Sequence, residues 1–505
     1  MAIYIFFLHI TITVSINCNL NNSFSFMGLN MAHVEFDKVM VELVDYAYEQ
    51  ATFDDETLRL ARYCLLDSIG CAIAASTDHD CMRLMAGAQF SKSREGVPVA
   101  GTGLRLGPVE AAFHIGSMIR WLEFNDTWLA QEWGHPSDNL GAILAAAVWQ
   151  GQADGNQPPI DMTAVLNTMI RAYEIHGVLC LSNCFNALGI DHVVLVKVAS
   201  AIASAQLLGL SKEQALSALS NAIIDGHSLR TYRHAPNAGT RKSWAAGDAT
   251  ARGLQLALFA QTGEMGYPTA LTVSRWGFDD AVLQGKPFNL SRNLSDFVIK
   301  NILFKVPNPA EYHAQTAVEA AINLRERILA AGFSPESIEY VRVETTRPAI
   351  QIIDKSGPLR NSADRDHCLQ YMVAVGLQTG NLTIKDFHEP LASDPQLDAL
   401  RLKITCTERP SFTESYYDPE KRAIPNTLHL KCHGMAEEIS ETIEYPLGHV
   451  RRREECFDAL LTKFHLNLSD SPLRDRSHIL AETLISESKL DAMSVTDLLK
   501  MFSWD

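Results

Sequence analysis

The run Arg120-Trp-Leu-Glu-Phe-Asn-Asp-Thr-Trp-Leu-Ala-Gln-Glu-Trp-Gly-His-Pro-Ser-Asp-Asn139 packs acids, amides, an Arg and a His between apolar helical segments. Polar groups near a packed interior cost free energy unless each finds a partner, and a bound ligand is one such partner. Within the run, Pro136 biases His135 toward an extended backbone. Ser137 or Asp138 is then placed to cap a helix reaching about Val148. That arrangement predicts His135 at the positive mouth of a helix, where backbone N–H groups attract an anion.

Three further segments carry the same chemistry. Gly189-Ile-Asp-His192 stands directly before a helix that begins near Val193. Taken alone, His192 reads first as a capping or solvent-facing residue. Between Ser228 and Asp248, Arg230, Arg233, His234, Arg241 and Lys242 form a cationic loop that leads into a helix from about Ala245. A solvated basic loop is one reading. The other is an anion clamp, because Arg grips carboxylates through paired hydrogen bonds and a desolvated Lys can act as a base. In Val306-Pro-Asn-Pro-Ala-Glu-Tyr-His313, Asn308 is a candidate N-cap with Pro309 at the first helical position. His313 would then lie early in the helix, where the dipole favours neutral imidazole, although a structural His fits equally well. None of these segments has phosphate-loop, dinucleotide-binding or two-histidine zinc spacing, so no metal site is predicted.

Helices must position these segments. Met40, Leu43, Val44, Ala47 and Tyr48 recur at helical spacing, and 58–75, 162–179 and 193–208 are Ala-rich and apolar on more than one face. Such helices belong inside a bundle. Gly209 predicts a helix stop, and Ser211 with Gln214 a capping box for the next helix. Gly151 to Pro159 reads as a polar loop. After about residue 275, apolar and polar residues alternate at 341–344, 402–407 and 428–433, the signature of strands with one buried face. Helices are expected between them at 310–329 and 368–376. The expected fold class is therefore mainly α with a smaller α+β region, its sheet antiparallel and covered by helices. From Arg451 the pattern is helical again.

The 505 residues suffice for two or three domains. A hydrophobic fraction of 47%, a charged fraction of 20% and a net charge of −16 describe a globular protein. They argue against nucleic acid or an anionic membrane as main partner. The ten Cys include no CxxC pair, which fits reduced thiols and gives no support to an iron–sulfur cluster. Ile3 to Ile16 is apolar but too short to span a bilayer, and no Lys or Arg precedes Lys38. Residues 1–32 are accordingly expected to be a non-native or disordered extension, with Met27 or Met31 as alternative starts.

Together the motifs resemble the MmgE/PrpD family: Arg120-Trp-Leu-Glu-Phe-Asn-Asp-Thr-Trp, Glu132-Trp-Gly-His-Pro-Ser-Asp-Asn, Gly189-Ile-Asp-His-Val-Val-Leu-Val-Lys-Val-Ala-Ser and Thr240-Arg-Lys-Ser-Trp-Ala-Ala-Gly-Asp-Ala. The resemblance covers roughly residues 33 to 500. It implies a metal-independent hydro-lyase that converts 2-methylcitrate to 2-methyl-cis-aconitate in propionate catabolism, with no cofactor. It further implies a cytoplasmic homodimer with a helical domain (33–275), an α+β lid (276–445) and a helical segment returning to the first domain (446–505). The implied catalytic set is His135, His192 and Lys242, with the roles of acid and base open. Glu123, Asp126, Thr127, Arg233, Arg241, His313 and Tyr371 are the implied substrate-binding set. Decarboxylases of the family have a shorter Thr-to-His spacing in the first motif. This chain has the longer spacing and the Arg-Lys-Ser-Trp loop of the dehydratase branch. Rival readings are a cis-aconitate decarboxylase or a related epimerase, and, from another class, a helical scaffold whose polar segments meet a partner protein.

Overall fold

The computed structural model describes residues 35–50, 52–153, 158–234 and 236–504. The expected extension 1–32 lies outside them. From Phe36 onward the chain forms one compact unit.

The stripe at 40–48 becomes the helix Lys38–Ala47, which buries Met40, Leu43, Val44 and Ala47. The apolar Ala-rich segments become the helices Asp55–Ala75, Met162–Ser182 and Val193–Leu207. In the last of these every residue except Gln206 is buried, so the helix is surrounded. Gly209 follows at φ +69°, a left-handed turn that glycine enters without steric cost. Ser211 and Gln214 form the reciprocal capping box of Lys212–Ile224.

Two helices meet closely enough to matter for chemistry. A Cβ on Gly247 would lie 2.1 Å from the Ser117 Oγ and 2.4 Å from the Phe113 carbonyl oxygen. Only glycine therefore lets Arg241–Gln261 lie against Pro108–Arg120. Ser243 Oγ closes the contact on the Trp121 carbonyl at 3.1 Å. The C-terminal end of one helix, with Arg120, is thereby set beside the first turn of the other, with Lys242. The helix begins at Arg241, earlier than the expected Ala245, so Lys242 is helical and not part of the loop.

The sheet has the order Ile404–Glu408, Ile338–Thr345, Asn426–Cys432, Ile439–Ile443. It is mixed where an antiparallel sheet was expected. Val343 pairs with Cys406 in a parallel register and with Leu428 in an antiparallel one. The reason is the connection: the chain leaves Thr345 through the helices Arg347–Ile353, Leu369–Thr379 and Pro395–Arg401, and this crossover returns it to the sheet in the same direction. The fold is thus mostly helical with a small mixed sheet.

Two apolar cores result. The larger draws on Met40 through Val306 and again on Cys456 through Phe502; the smaller runs from Ala310 to Cys432 around the sheet. Packing therefore changes between 306 and 310, later in the chain than the change of sequence texture near 275. Among the described residues no helix is long and apolar enough to cross a membrane.

Candidate active site

A cavity of about 210 Å³ opens where the two cores meet, lined from the first by Arg120, Glu123, Thr127, His135, His192 and Arg233 and from the second by His313, Gln351 and His367. The local structure of the motif at 120–139 explains its polar content. Thr127 exchanges backbone hydrogen bonds with Leu303, N to O at 2.8 Å and 3.1 Å, which fixes the loop. The Asp126 carbonyl then accepts from His135 Nδ1 at 2.6 Å, with Thr127 Oγ1 3.1 Å from the same nitrogen. A carbonyl oxygen cannot donate, so Nδ1 carries the proton and Nε2 carries a lone pair. Burial, with Arg120 and Lys305 nearby, holds His135 well below the ordinary imidazole range, so it is neutral.

His192 stands beside it, ring centroids 5.7 Å apart. Burial depresses its pKa too. Its Nδ1 lies 3.3 Å from its neighbour Asp191, and its buried Nε2 has no hydrogen-bond partner among the described residues. Asp191 is gripped by Arg233 through both carboxylate oxygens, the Nη2 contact being 3.0 Å. Burial alone would raise this carboxyl, but Arg233 pulls it below the usual range. Backbone bonds from Asp191 N to the Ser228 carbonyl and from Arg230 N to the Gly189 carbonyl zip the cationic loop against the Asp-His turn. The cations of one distant segment are thus delivered to the histidine of another.

Glu123 occupies the centre of charge. Its Oε2 lies 2.5 Å from Arg120 Nη1 and 3.5 Å from Lys305 Nζ, and its Oε1 lies 3.8 Å from Lys242 Nζ. Burial opposes its ionisation, yet these cations hold it well below the usual carboxylate range. Its backbone has φ +53°, in the left-handed region that a residue with a Cβ enters at a cost of order 1–3 kcal/mol. Arg230 also lines the cavity, is buried, and has an Nε without a hydrogen-bond partner among the described residues. The lining holds the cations Arg120, Arg230, Arg233 and Lys305 against the carboxylates Glu123 and Glu311, with Asp191 offsetting Arg233 from behind. An excess of buried positive charge calls for an anion.

On the second core, His313 Nδ1 meets Glu311 Oε1 at 2.9 Å, and its Nε2 lies 3.3 Å from the Tyr416 hydroxyl. Burial raises Glu311 but His313 draws it down to about 2. The helical cap differs from the expected one. Glu311, not Asn308, accepts the His313 N–H, in a short 3-10 turn before the helix Gln315–Ala330. Asn308 instead offers its carbonyl to Gln315. The Ser137/Asp138 cap is likewise replaced: Ser137 Oγ donates to Asp126 at 2.7 Å, and the turn Pro136–Asn139 is 3-10 before the α-helix starts at Leu140.

Of the catalytic and substrate-binding residues implied by the resemblance, Glu123, Thr127, His135, His192, Arg233 and His313 line the cavity, as do Arg230 and His234 of the cationic loop. Four others do not. Lys242 is buried behind the wall, its Nζ 2.6 Å from both oxygens of Asp366. The Asp126 carboxylate is spent on Ser137, and its role in the wall is through its backbone carbonyl. Arg241 lies partly exposed over the Trp244 ring, 4.2 Å from its centroid, with Asp248 at 3.8 Å. Its position one residue from Lys242 turns it to the outer side of the same helix. Tyr371 donates its hydroxyl to the Asp386 carbonyl within the smaller core. Residues that sequence reasoning passed over are Lys305, Glu311, Asp366 and His367. Asp366-His367 repeats the Asp191-His192 dipeptide at a helix entrance, but Asp78-His79 does so as well, away from the cavity, so the dipeptide alone did not single out the last two.

The MmgE/PrpD N-terminal domain matches residues 41–291, and the MmgE/PrpD C-terminal domain matches residues 309–485. The gap between them spans the point where the cores change. A 2-methylcitrate dehydratase of Escherichia coli (strain K12) is 49% identical over 478 residues, 94% of this chain and 99% of that protein. A 2-methylcitrate dehydratase of Cupriavidus necator is 49% identical over 92% of this chain and 97% of its own length. A protein of Yarrowia lipolytica (strain CLIB 122 / E 150) named 2-methylcitrate dehydratase, mitochondrial, is 46% identical over 86% of this chain and 84% of its own. With two domain models covering most of its length and near-half identity to such relatives, this chain belongs to the MmgE/PrpD family.

Proposed function

We propose that this chain is a hydro-lyase that removes water from 2-methylcitrate to give 2-methyl-cis-aconitate. The observation that carries the reading is the convergence of Arg120, Arg230, Arg233 and Lys305 with the neutral His135 on one small buried cavity. The names of the relatives supply the substrate.

The substrate proton to be removed sits on a carbon bearing a carboxylate. As it leaves, negative charge builds on that carboxylate, and cations fixed beside it lower the barrier; one such donor is worth about 3 kcal/mol. Arg230, whose Nε has no hydrogen-bond partner among the described residues, is available to a substrate carboxylate. His135 offers its Nε2 lone pair as the base, with the Asp126 carbonyl fixing the tautomer. The C–H electron pair becomes the double bond, the C–O bond breaks, and the departing oxygen takes a proton from a second group. His192, beside His135, holds the substrate hydroxyl or the base in register. Lys242 acts from behind the wall, fixing Asp366 and sharing in the charge of Glu123.

Side-by-side assays with 2-methylcitrate, citrate and cis-aconitate test the reading. A rise in ultraviolet absorbance from a conjugated acid with 2-methylcitrate is expected. CO₂ release from cis-aconitate in its place would turn the assignment to a decarboxylase. Side-chain chemistry alone predicts full activity after EDTA; loss restored by iron would remove the metal-free mechanism. A homodimer in the cytoplasm rests on the family resemblance, and light scattering and cell fractionation test it.

A further inference from the structure

The structure contains the same device twice. Asp191-His192 and Asp366-His367 each stand just before a helix, Val193–Leu207 and Leu369–Thr379. In each, the histidine lines the cavity and turns Nδ1 toward its own neighbouring aspartate, at 3.3 Å and 2.7 Å. In each, a cation from the segment 228–248 clamps the aspartate: Arg233 on Asp191, Lys242 on Asp366. The two histidines come from different cores. His192 shares a wall with His135, while His367 leads into a helix of the smaller core.

Resting on the proposed dehydration, we infer that His367 is the catalytic acid that protonates the departing hydroxyl. Asp366 and Lys242 are its positioning residues. Asp366 is ionised: burial would raise it, but Lys242 and His367 bring it to about 2. An ionised carboxylate only accepts, so His367 Nδ1 carries a proton toward Oδ1, and the free edge of the ring is Nε2. The Lys242 ammonium lies 3.3 Å from the same Nδ1, but its protons have Asp366 at 2.6 Å and Glu123 at 3.8 Å. In the free protein burial and the Lys242 ammonium hold His367 below the ordinary imidazole range, against the pull of Asp366 behind Nδ1; a substrate with three negative charges arriving in front shifts it toward imidazolium. His367 then enters the reaction with a proton on Nε2.

The step balances as follows. His135 Nε2 takes the proton from the carbon beside the carboxylate, and that C–H pair forms the double bond. The C–O bond breaks with its pair on oxygen, which receives the Nε2 proton of His367 and leaves as water. Afterwards His135 is protonated and His367 neutral, and exchange with solvent resets both. This assignment explains why a lysine that does not reach the cavity belongs to the machinery: it holds the aspartate that holds the acid.

The test exploits a leaving group that needs no proton. Wild-type protein, H367N and H135N are assayed with 2-methylcitrate and with the analogue bearing fluorine in place of the tertiary hydroxyl, following fluoride release. Asn at 367 retains an N–H for Asp366 but cannot transfer a proton; H367Q, closer in length, is a second variant. With 2-methylcitrate, kcat for H367N is expected to fall about 100- to 10,000-fold with KM little changed. Fluoride release by H367N should stay within a few-fold of wild type, while H135N loses both reactions. Equal loss of both reactions in H367N and H367Q, or near-normal dehydration by either, would overturn the acid role. Wild-type protein that does not dehydrate 2-methylcitrate would instead defeat the function on which the role rests.

Discussion

Lys242 and Arg241 are neighbours with opposite fates. Lys242 lies between Asp366 and Glu123 in the interior, so Lys242→Met leaves two buried carboxylates short of a cation. Breaking a buried pair by removing one partner costs about 3–5 kcal/mol, and urea unfolding should show a loss of that order together with loss of turnover. Arg241→Ala removes a partly exposed stacking contact on Trp244. Stability should drop by less than about 1 kcal/mol, with kcat/KM unchanged, and an activity loss comparable to that of Lys242→Met would put Arg241 back in the site. Asp138 gives a pH signature. Burial is the main cause that lifts its carboxyl from 3.8 to about 8, and its Oδ2 has no hydrogen-bond partner among the described residues. Between those two values the folded protein keeps a proton that the unfolded chain has released. Its contribution to stability is therefore present at low pH and is lost as pH rises through that window. Asp138→Asn, which mimics the protonated form, should flatten the dependence of Tm on pH between about 4 and 8; an unchanged slope would show that Asp138 is ionised in the native protein.

At the scale of elements, the approach of Pro108–Arg120 to Arg241–Gln261 decides whether Arg120, Glu123 and Lys242 can share charge. Gly247→Ala places a methyl against the Phe113 carbonyl and Ser117. Overpacking of this kind costs about 1–3 kcal/mol, and because both helices must shift, kcat should fall as well. Gly263→Ala, a positive-φ position with open space around it, is the control: it strains the backbone without touching the site. The helices themselves were legible from their periodicity, since an apolar stripe or an all-apolar Ala-rich run depends only on local spacing. The Asp191-His192 and His135-Pro136 turns were legible for a similar reason, because a helix start is written in adjacent residues. Lys305 and Glu311 were not, as nothing local separates a buried Lys or Glu from a solvated one. The parallel pairing of 338–345 with 404–408 was equally hidden, because alternation reveals a strand but not the direction of its neighbour. Asn308 and Ser137 looked like caps by type and position, yet tertiary partners claimed them.

For the whole molecule, the C-terminal return is what supports the site from below. Lys463, on the helix Arg453–Leu468, is 2.6 Å from Asp67 and donates to the Phe124 and Lys305 carbonyls, beneath the cavity wall. Lys463→Met should cost about 3–5 kcal/mol in a denaturant titration, because Asp67 is fully buried and would lose its ion-pair partner. The larger core contains residues from both ends of the described chain, so it closes only after the smaller core has been spanned. Between the two cores the contact is mostly polar: Lys242 to Asp366, Trp133 to Tyr416 at 3.2 Å, Asn361 to the Ala238 carbonyl at 3.2 Å, with a small apolar cluster around Leu129, Leu303 and Tyr416. A seam of this kind can part while each core stays intact, which an interleaved apolar interface would not permit. On the proposed mechanism the catalytic set draws His135 from one core and His367 from the other, so it is complete only when the seam is shut, and substrate entry and product exit would be coupled to its parting. The rhythm of shutting and parting then places its own ceiling on turnover, and added viscogen should slow the enzyme most where the chemical step is fastest.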